Sequence, residues 1–359
     1  MTLFIDSAGL MGEFEDGKFV ELSELSPDIK NGNIYRGRVK EILPKISAYF
    51  VDIGYKEDGY LSFKDTYPAN AKLKKGQEIL VQIKKTLPPP KGHRVTMEIS
   101  IGGQNLVLFE KKLQKFSNKL KSDEVKRLKS YGIESCYGIL YRTSSKNSTR
   151  TALKNEIEDL EKRLKTVLEE KNFLPVPKLI YEPNGVKDFL KRSGKSKVII
   201  NSKQIYDDYR LDFENLILDE NFSIKTDRNL SKDYNNLFEP CVNLDCGGQI
   251  IIEKTAALWS IDVNSSYGDG TDFEKTALLS NLEAAKEGAR QIILRNMSGI
   301  IIFDFINMQK DEDKELVIRK LKDELERDKS QNEVYGYTSL GLVEVSRKNF
   351  GLSLRRLEN

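Results

Sequence analysis

The amino-acid sequence predicts a multidomain α+β protein. Its length of 359 residues predicts about two domains, since a domain averages roughly 150 residues. Residues 33–101 contain five short segments rich in Ile, Tyr, Val and Phe between turn residues, which predicts a small antiparallel barrel. After Gly247, apolar strand-like segments flank a long helical stretch, an order typical of neighbouring parallel strands joined by a crossover helix.

The N-terminal half carries four local patterns. Residues 2–22 alternate apolar and polar positions around Glu15-Asp16-Gly17, which predicts a hairpin. The run 111–129 holds eight basic residues against two acidic ones and is interpreted as a solvated helix face. Residues 151–171 predict an amphipathic helix whose apolar stripe packs in a core. The members of that stripe are Leu153, Ile157, Leu160, Leu164 and Val167.

The C-terminal half predicts further strands and a long helix. Residues 197–203 form one expected strand, and residues 205–224 are acidic, a poor surface for nucleic acid. Two buried strands are expected around the Glu253-Lys254-Thr255 turn, the second ending at Asp262. A helix over about 272–297 leads to an almost wholly apolar strand over 299–308.

Composition excludes several classes of protein. The 58 basic and 55 acidic residues leave a net charge of +3, so a polyanion would have to be held by local basic patches. Three cysteines without CxxC spacing exclude a disulfide scaffold, fit the reducing cytoplasm and are interpreted as buried thiols. The start does not resemble a signal peptide, and no apolar run approaches the roughly 20 residues that span a bilayer, so a cytoplasmic protein without a membrane partner is expected.

A single histidine, His93, restricts the possible chemistry further. Two-histidine acid–base mechanisms and multi-histidine zinc centres are excluded. If the protein is an enzyme, the expected catalytic groups are therefore carboxylates and a hard metal ion.

Two aspartates are the strongest candidates for that chemistry. Asp262 and Asp304 each end an apolar strand, where a carboxylate is costly to bury unless it is paired, hydrogen-bonded or bound to a metal. If their strands are neighbours, the two carboxylates meet at one edge of the sheet, and Asn264 shares the face of Asp262. This set suits Mg²⁺. The alternative, that each aspartate caps a helix or forms an ion pair, is about equally supported by the residues alone.

The predicted barrel carries a second candidate surface. Phe50 and Tyr60 fall on successive strands among basic residues, a pattern typical of a face that stacks single-stranded bases. The alternative is that both rings are core residues. Neither of the glycine-rich phosphate-binding motifs GxxxxGK[ST] and GxGxxG occurs in the sequence. The neighbouring residues of this surface are Tyr35, Arg36, Arg38, Lys40 and Lys91.

The barrel text NIYRGRVKEILP, then GILYRT, WSIDVNS, NLEAA and IIFDFINM occur in an order that resembles the ribonuclease E/G family of bacterial endoribonucleases. WSIDVNS, NLEAA and IIFDFINM resemble its catalytic motifs, and NIYRGRVKEILP, AYFVDIG and GYL resemble its OB-fold RNA-binding domain. GILYRT resembles the segment that senses an RNA 5′-monophosphate, and GLVEVSRKNFGLSL resembles the end of the catalytic core. The resemblance runs from residue 1 to about residue 354.

The resemblance implies a fold and a set of site residues. The implied fold is an RNase H-like subdomain split around an OB-fold barrel and a 5′-sensor region, followed by a DNase I-like α/β catalytic subdomain. Its implied bounds are 1–32 and 183–240 for the RNase H-like parts, 33–101 for the barrel, 102–182 for the sensor and 241–359 for the catalytic part. The implied metal ligands are Asp262 and Asp304, supported by Asn264. The implied 5′-phosphate contacts are Arg142, Thr143, Gly103 and Val107, and the implied RNA contacts are Phe50, Tyr60, Lys91 and Arg347.

The expected function is a Mg²⁺-dependent endoribonuclease of the rRNA-processing or mRNA-decay type. Mn²⁺ is an expected substitute, the substrate is single-stranded RNA, including RNA with a 5′-monophosphate, and a metal-activated water leaves 5′-phosphate and 3′-hydroxyl ends. Asn307 replaces an acid of the family pattern, and the sensor loop TSSKNSTR lacks its usual glycine. The family's zinc-binding cysteine pair is not found by residue 359, so zinc and a zinc-linked oligomer are not expected. The alternatives are a non-catalytic RNA-binding or regulatory protein and, less favoured, a small-molecule phosphohydrolase.

Overall fold

The computed structural model describes residues 1–25, 30–87, 92–265, 273–348, 354 and 356. The chain forms two compact units. The first combines Met1–Ser26 with Lys195–Asn359, and the second is Pro27–Gly194. The five-part division implied by the resemblance is finer than these units and stays a prediction. Within the described ranges, no helix has the length and apolar character needed to cross a membrane.

The first unit begins with an antiparallel meander. Its strands are β1 (Thr2–Asp6), β2 (Leu10–Glu15) and β3 (Lys18–Glu24). Strands β2 and β3 pair around Asp16 and Gly17, both of which have positive φ, so the predicted hairpin is confirmed. Glycine adopts such angles without steric cost, which is why it suits this turn.

The second unit opens with a closed five-stranded barrel. Its strands are β4 (Ile34–Leu43), β5 (Ala48–Asp52), β6 (Gly59–Ser62), β7 (Glu78–Lys85) and β8 (Arg94–Thr96). They pair in the order β4-β5-β6-β8-β7, and β7 pairs back with β4 to close the barrel. Inward residues such as Val51, Leu61 and Val81 are fully buried. The predicted OB-like barrel is therefore present.

A four-stranded sheet and a long helix complete the second unit. The remaining elements are β9 (Ser100–Gly102), β10 (Leu106–Phe109), β11 (Gln114–Phe116), α1 (Ser122–Ser130), β12 (Gly138–Tyr141), α2 (Arg150–Glu169), β13 (Lys178–Tyr181) and α3 (Gly185–Ser193). Sheet order is β11-β12-β10-β9, and β13 joins the edge of the barrel beside β4. All five stripe residues of α2 are buried, as predicted. The basic run is a strand followed by a helix rather than one helix, because Gln114–Phe116 pairs with β12.

The first unit resumes with strands that extend its meander. These elements are β14 (Val198–Ile200), α4 (Lys203–Tyr209), β15 (Leu216–Leu218) and α5 (Arg228–Asn236). The resulting sheet has the order β15-β14-β1-β2-β3, with β14 parallel to both β1 and β15. The predicted strand over 197–203 is thus present, although it is only three residues long.

A six-stranded sheet follows. Its elements are β16 (Cys241–Asn243), β17 (Gln249–Lys254), β18 (Leu258–Asn264), α6 (Phe273–Leu294), β19 (Gly299–Asp304), α7 (Asp311–Leu325), β20 (Asn332–Tyr337) and β21 (Val343–Arg347). Strand order is β16-β17-β18-β19-β21-β20, with β18 parallel to β19. The predicted parallel neighbours are confirmed, but β18 continues past Asp262 to Asn264 and β19 ends at Asp304 instead of residue 308.

The two faces of this sheet differ because side chains alternate along each strand. Ile261, Val263 and Phe303 are buried in a core that α6 and α7 also line. Gly288 of α6 lies so close to the sheet that a Cβ there would be 2.5 Å from Phe303. The opposite side, here termed the open face, carries Asp262 and Asp304.

Candidate functional site

The two aspartates lie directly opposite each other on the open face. The parallel register pairs Asp262 with Asp304, and adjacent strands are about 4.8 Å apart. Asn264, two residues beyond Asp262, donates a hydrogen bond from Nδ2 to Asp262 Oδ2 at 2.8 Å. Asp262 is half-buried and Asp304 is exposed. The structure therefore brings these three side chains together as the sequence analysis expected.

The donor set of this cluster fits a hard divalent cation. Like charges directly opposite each other destabilise a sheet, and no basic side chain of the described residues forms an ion pair with either aspartate. A cation between them would remove that repulsion. The described residues contain no group of three or more His, Cys, Asp or Glu side chains that could hold a metal. Two carboxylates and an amide nevertheless match Mg²⁺, which keeps several water ligands.

Helix α6 holds the segment that follows Asp304. The buried side chain of Asn281 donates to Ile306 O at 2.8 Å and accepts from Ile306 N–H at 3.0 Å. Glu274 Oε1 accepts the N–H groups of Gln309 and Lys310 at 2.8 and 2.9 Å. Sequence reasoning missed both roles. The signal for Asn281 was an amide at helical spacing from Leu278 and Ala285, on the apolar face of α6.

The barrel presents an aromatic pair. Phe50 of β5 lies opposite Tyr60 of β6, with ring centroids 6.0 Å apart and an interplanar angle of 78°. Both side chains are partly exposed. Tyr60 lies opposite Arg94, which in turn lies opposite Lys85. The pair is thus continued by Arg94 and then by Lys85, which the sequence analysis did not single out because only strand pairing brings them into this row.

Several basic residues expected on that surface are engaged elsewhere. Arg36 is fully buried, bonded to Glu170 Oε2 at 2.6 Å and to the backbone oxygens of Glu170 and Pro175, so its interpretation as a surface base is wrong. Arg38 and Lys40 form ion pairs with acidic neighbours but remain accessible. Lys91 lies outside the described residues.

The expected 5′-phosphate contacts surround the turn after β9. Arg142 Nη1 donates to Gly103 O at 2.7 Å. Val107 lies opposite Gly102 in the sheet. Thr143 Oγ1 is 2.9 Å from Ser117 Oγ. Three of the four expected residues therefore converge on the turn, and Thr143 adjoins them in the chain.

Glu156 of α2 shapes this turn and was missed by sequence reasoning. Its Oε1 accepts the N–H groups of Asn105 and Leu106 at 2.8 and 3.1 Å. A Cβ at Gly103 would be 2.2 Å from the same oxygen, so a larger residue there would displace the Glu156 carboxylate. The carboxylate thus fixes the backbone that Arg142 contacts.

Positive charge collects near Arg142. Burial raises the pKa of Asp188, while the positive charges of Lys191, Arg142 and Arg163 act in the opposite direction. Arg142 itself is exposed. Among the described residues Arg142 forms no salt bridge, whereas Arg163 is paired with Asp159, so the guanidinium of Arg142 is the group that suits an anionic ligand.

Arg347 lies in a buried ion pair. Its Nε and Nη2 donate to the two carboxylate oxygens of Asp328 at 2.7 and 3.0 Å, and Nη1 donates to Asn296 Oδ1 and Met297 O. The side chains of Arg347 and Asp328 are 3% and 1% exposed. In this arrangement the guanidinium has no free surface for RNA, and its contacts support a structural role.

The interpretation of all three cysteines as buried thiols is wrong. Cys136 and Cys241 are exposed, and Cys246 is partly buried. Cys241 projects from the open face because its neighbour Val242 takes the inward position on β16. The three thiols are free.

Comparison with known proteins places the chain in a family. The model of the Ribonuclease E/G family matches residues 100–350. Ribonuclease G of Haemophilus influenzae is 31% identical over 91% of this chain and 74% of its own length. Ribonuclease E of Synechocystis is 32% identical over 91% of this chain, and ribonuclease E of Escherichia coli K12 is 29% identical over 90%; these matches cover 53% and 34% of those proteins. The chain belongs to the Ribonuclease E/G family and is an enzyme of that type.

Proposed function

We propose that this protein is a Mg²⁺-dependent endoribonuclease that cleaves single-stranded RNA. The observation that carries the proposal is the pairing of Asp262 with Asp304 on the open face, with Asn264 bonded to Asp262. The names of the relatives support RNA as the substrate. Processing of rRNA and decay of mRNA in the cytoplasm are the settings proposed for this activity.

The residues of the open face have separable roles. Asp262 and Asp304 would hold Mg²⁺, and Mn²⁺ is proposed as a substitute because it also accepts oxygen ligands. Asn264 donates to one oxygen of Asp262, which leaves the other oxygen available and would let it hold the metal. When bound, Mg²⁺ supplies positive charge that polarises the phosphodiester and makes a water molecule a better nucleophile. Expulsion of the 3′-oxygen leaves 5′-phosphate and 3′-hydroxyl ends.

The barrel supplies affinity for unpaired bases. Phe50 and Tyr60 offer ring faces for stacking, and Arg94 and Lys85 extend the row with positive charge. Stacking on an aromatic side chain contributes about 1–3 kcal/mol per base and tolerates any sequence. Lys91 is retained as a proposed RNA contact from the family resemblance alone.

The sensor region supplies preference for a 5′-monophosphate. Arg142 has further N–H groups beyond the one given to Gly103, and guanidinium groups bind phosphate through paired hydrogen bonds. Thr143 and the backbone near Gly103 and Val107 are proposed as the other contacts. Arg347 is excluded from the proposed RNA contacts because of its buried ion pair.

Cleavage assays test the proposal directly. Purified protein is incubated with 5′-monophosphorylated single-stranded RNA in Mg²⁺ or in EDTA, and the product ends are identified by mass spectrometry. We expect Mg²⁺-dependent cleavage that Asp304→Asn abolishes while RNA binding, measured by fluorescence anisotropy, is retained. Wild-type cleavage by Asp304→Asn would refute the site. Binding without cleavage by the wild-type protein would favour the non-catalytic RNA-binding alternative.

A further inference from the structure

Three amide side chains form a row beside the aspartates on the open face. Asn243 of β16 lies opposite Gln249 of β17, and Gln249 lies opposite Asn264 of β18. Residues directly opposite each other in a sheet share a face, with Cβ atoms about 5 Å apart. This amide row lies two residues along the strands from Asp262, a distance of about 7 Å.

The amide row has unused hydrogen-bonding groups. Asn264 gives one donor to Asp262, and Gln249 Oε1 accepts from Cys241 Sγ at 3.1 Å. Neither Gln249 Nε2 nor the amide of Asn243 has a hydrogen-bond partner among the residues that the structure describes. Asn243 is exposed and Gln249 is partly exposed. The row therefore presents both donors and acceptors to a ligand above the sheet.

The hairpin that carries the amide row is held in place. Gly248 lies so close to Asn264 that a Cβ there would be 2.6 Å from the Asn264 carbonyl oxygen. Leu244 N–H donates to Gly248 O at 2.8 Å across the turn. Glu283 of α6 accepts the N–H of Cys246 at 2.8 Å and also that of Asp245. These contacts fix the backbone from which the amide side chains project, so no rearrangement of the hairpin is needed when a ligand binds.

The rows of side chains on the two sides of the aspartates, along the strands of the open face, differ in charge. The next row on the opposite side pairs Glu253 with Ser260, and Ser260 continues through Ile302 to Glu344. Those two glutamates are exposed and repel phosphate groups. The amide row carries no charge, so a polyanionic chain crossing the aspartates is favoured on the amide side.

We propose that Asn243 and Gln249 bind the nucleotide adjoining the scissile phosphodiester and set the preference for its base. This inference rests on the proposed endoribonuclease function. An amide has a donor and an acceptor side by side, which is the arrangement used to recognise base edges. Sequence-specific recognition of RNA occurs through exposed edges of unpaired bases, the substrate class proposed here. The amide row thus determines sequence preference, while the aspartates carry the chemistry.

The test uses the full chain and two variants of the amide row, Asn243→Ala and Gln249→Ala. Ser260→Ala is the matched control, because it lies on the same face but on the acidic side of the aspartates. The substrates are short single-stranded RNAs that differ only in the base on either side of the cleaved bond. Both kcat/KM and the distribution of cleavage positions are measured, and binding of a labelled RNA is measured separately in EDTA. Thermal unfolding monitored by circular dichroism checks that each variant is folded.

We expect each amide variant to lower kcat/KM for the preferred base about three- to tenfold, the effect of losing one hydrogen bond. The preference among bases should flatten, and Ser260→Ala should behave as wild type. Unchanged kcat/KM and base preference in both amide variants would overturn the inference while leaving the proposed function intact. If the wild-type protein binds RNA without cleaving it, the proposed function fails. The binding measurement in EDTA then tests whether the amide row contacts RNA. Weaker binding by the amide variants then supports the contact, and equal binding overturns it.

Discussion

Replacing Arg347 separates its structural role from the RNA-binding role that the family resemblance implies. In Arg347→Met, four hydrogen bonds and a buried ion pair are lost. The carboxylate of Asp328, only 1% exposed, loses the guanidinium that donates to both of its oxygens. Removing one member of a buried pair costs about 3–5 kcal/mol, because the remaining charge stays desolvated. We therefore expect a large loss of stability and, in the protein that is still folded, unchanged affinity for RNA.

Urea denaturation followed by circular dichroism measures the first effect, and fluorescence anisotropy with labelled RNA at low temperature measures the second. Arg319→Met is the control, since Arg319 is exposed on α7 and its replacement should change stability by less than about 0.5 kcal/mol. The double variant Arg347→Met/Asp328→Asn also removes the buried negative charge and should recover part of the loss. Wild-type stability together with a reduced RNA affinity in Arg347→Met would refute the reasoning.

Three further predictions concern the second unit. Phe50→Ala and Tyr60→Ala should each weaken RNA binding by about 1–3 kcal/mol in anisotropy titrations, and a loss of folding without a separate binding defect would show that the rings are core residues. Gly103→Ala should displace the Glu156 carboxylate from the N–H groups of Asn105 and Leu106 and reduce the preference for 5′-monophosphorylated over 5′-hydroxyl RNA in cleavage assays; an unchanged preference would contradict the proposed sensor. Burial lowers the pKa of His93 below 6.5 in the folded protein. As the pH falls, His93 is therefore protonated more readily in the unfolded chain than in the folded protein, which favours unfolding. The thermal midpoint should fall as the pH drops below about 6.5. His93→Gln, which removes the chain's single histidine, should make the midpoint less dependent on pH in this range. An equal decline in the variant would show that His93 does not cause it.

The sequence alone determined the elements whose patterns are local. The apolar stripe of α2 has helical spacing, and every member of it is buried. The order of strand, helix and strand predicted neighbouring parallel strands, so the approach of Asp262 to Asp304 could be expected from the chain itself. Both conclusions depend on spacing within one element or across one short crossover, and hydrophobic burial enforces such patterns directly.

Only the tertiary structure decided which charged and polar residues are available to a ligand. Arg36 was interpreted from the sequence as a surface base, and Arg347 matches an RNA contact of the family. Each is nevertheless buried against partners that local patterns do not identify; for Arg36 the partner is Glu170, 134 positions away. The amide row likewise depends on pairing among three strands, two of which, β16 and β17, are joined by a turn held by Glu283 of α6. A charged side chain is stable inside a protein only when a counter-charge and hydrogen-bonding groups meet it there, and those groups are brought together by folding, not by their order in the chain.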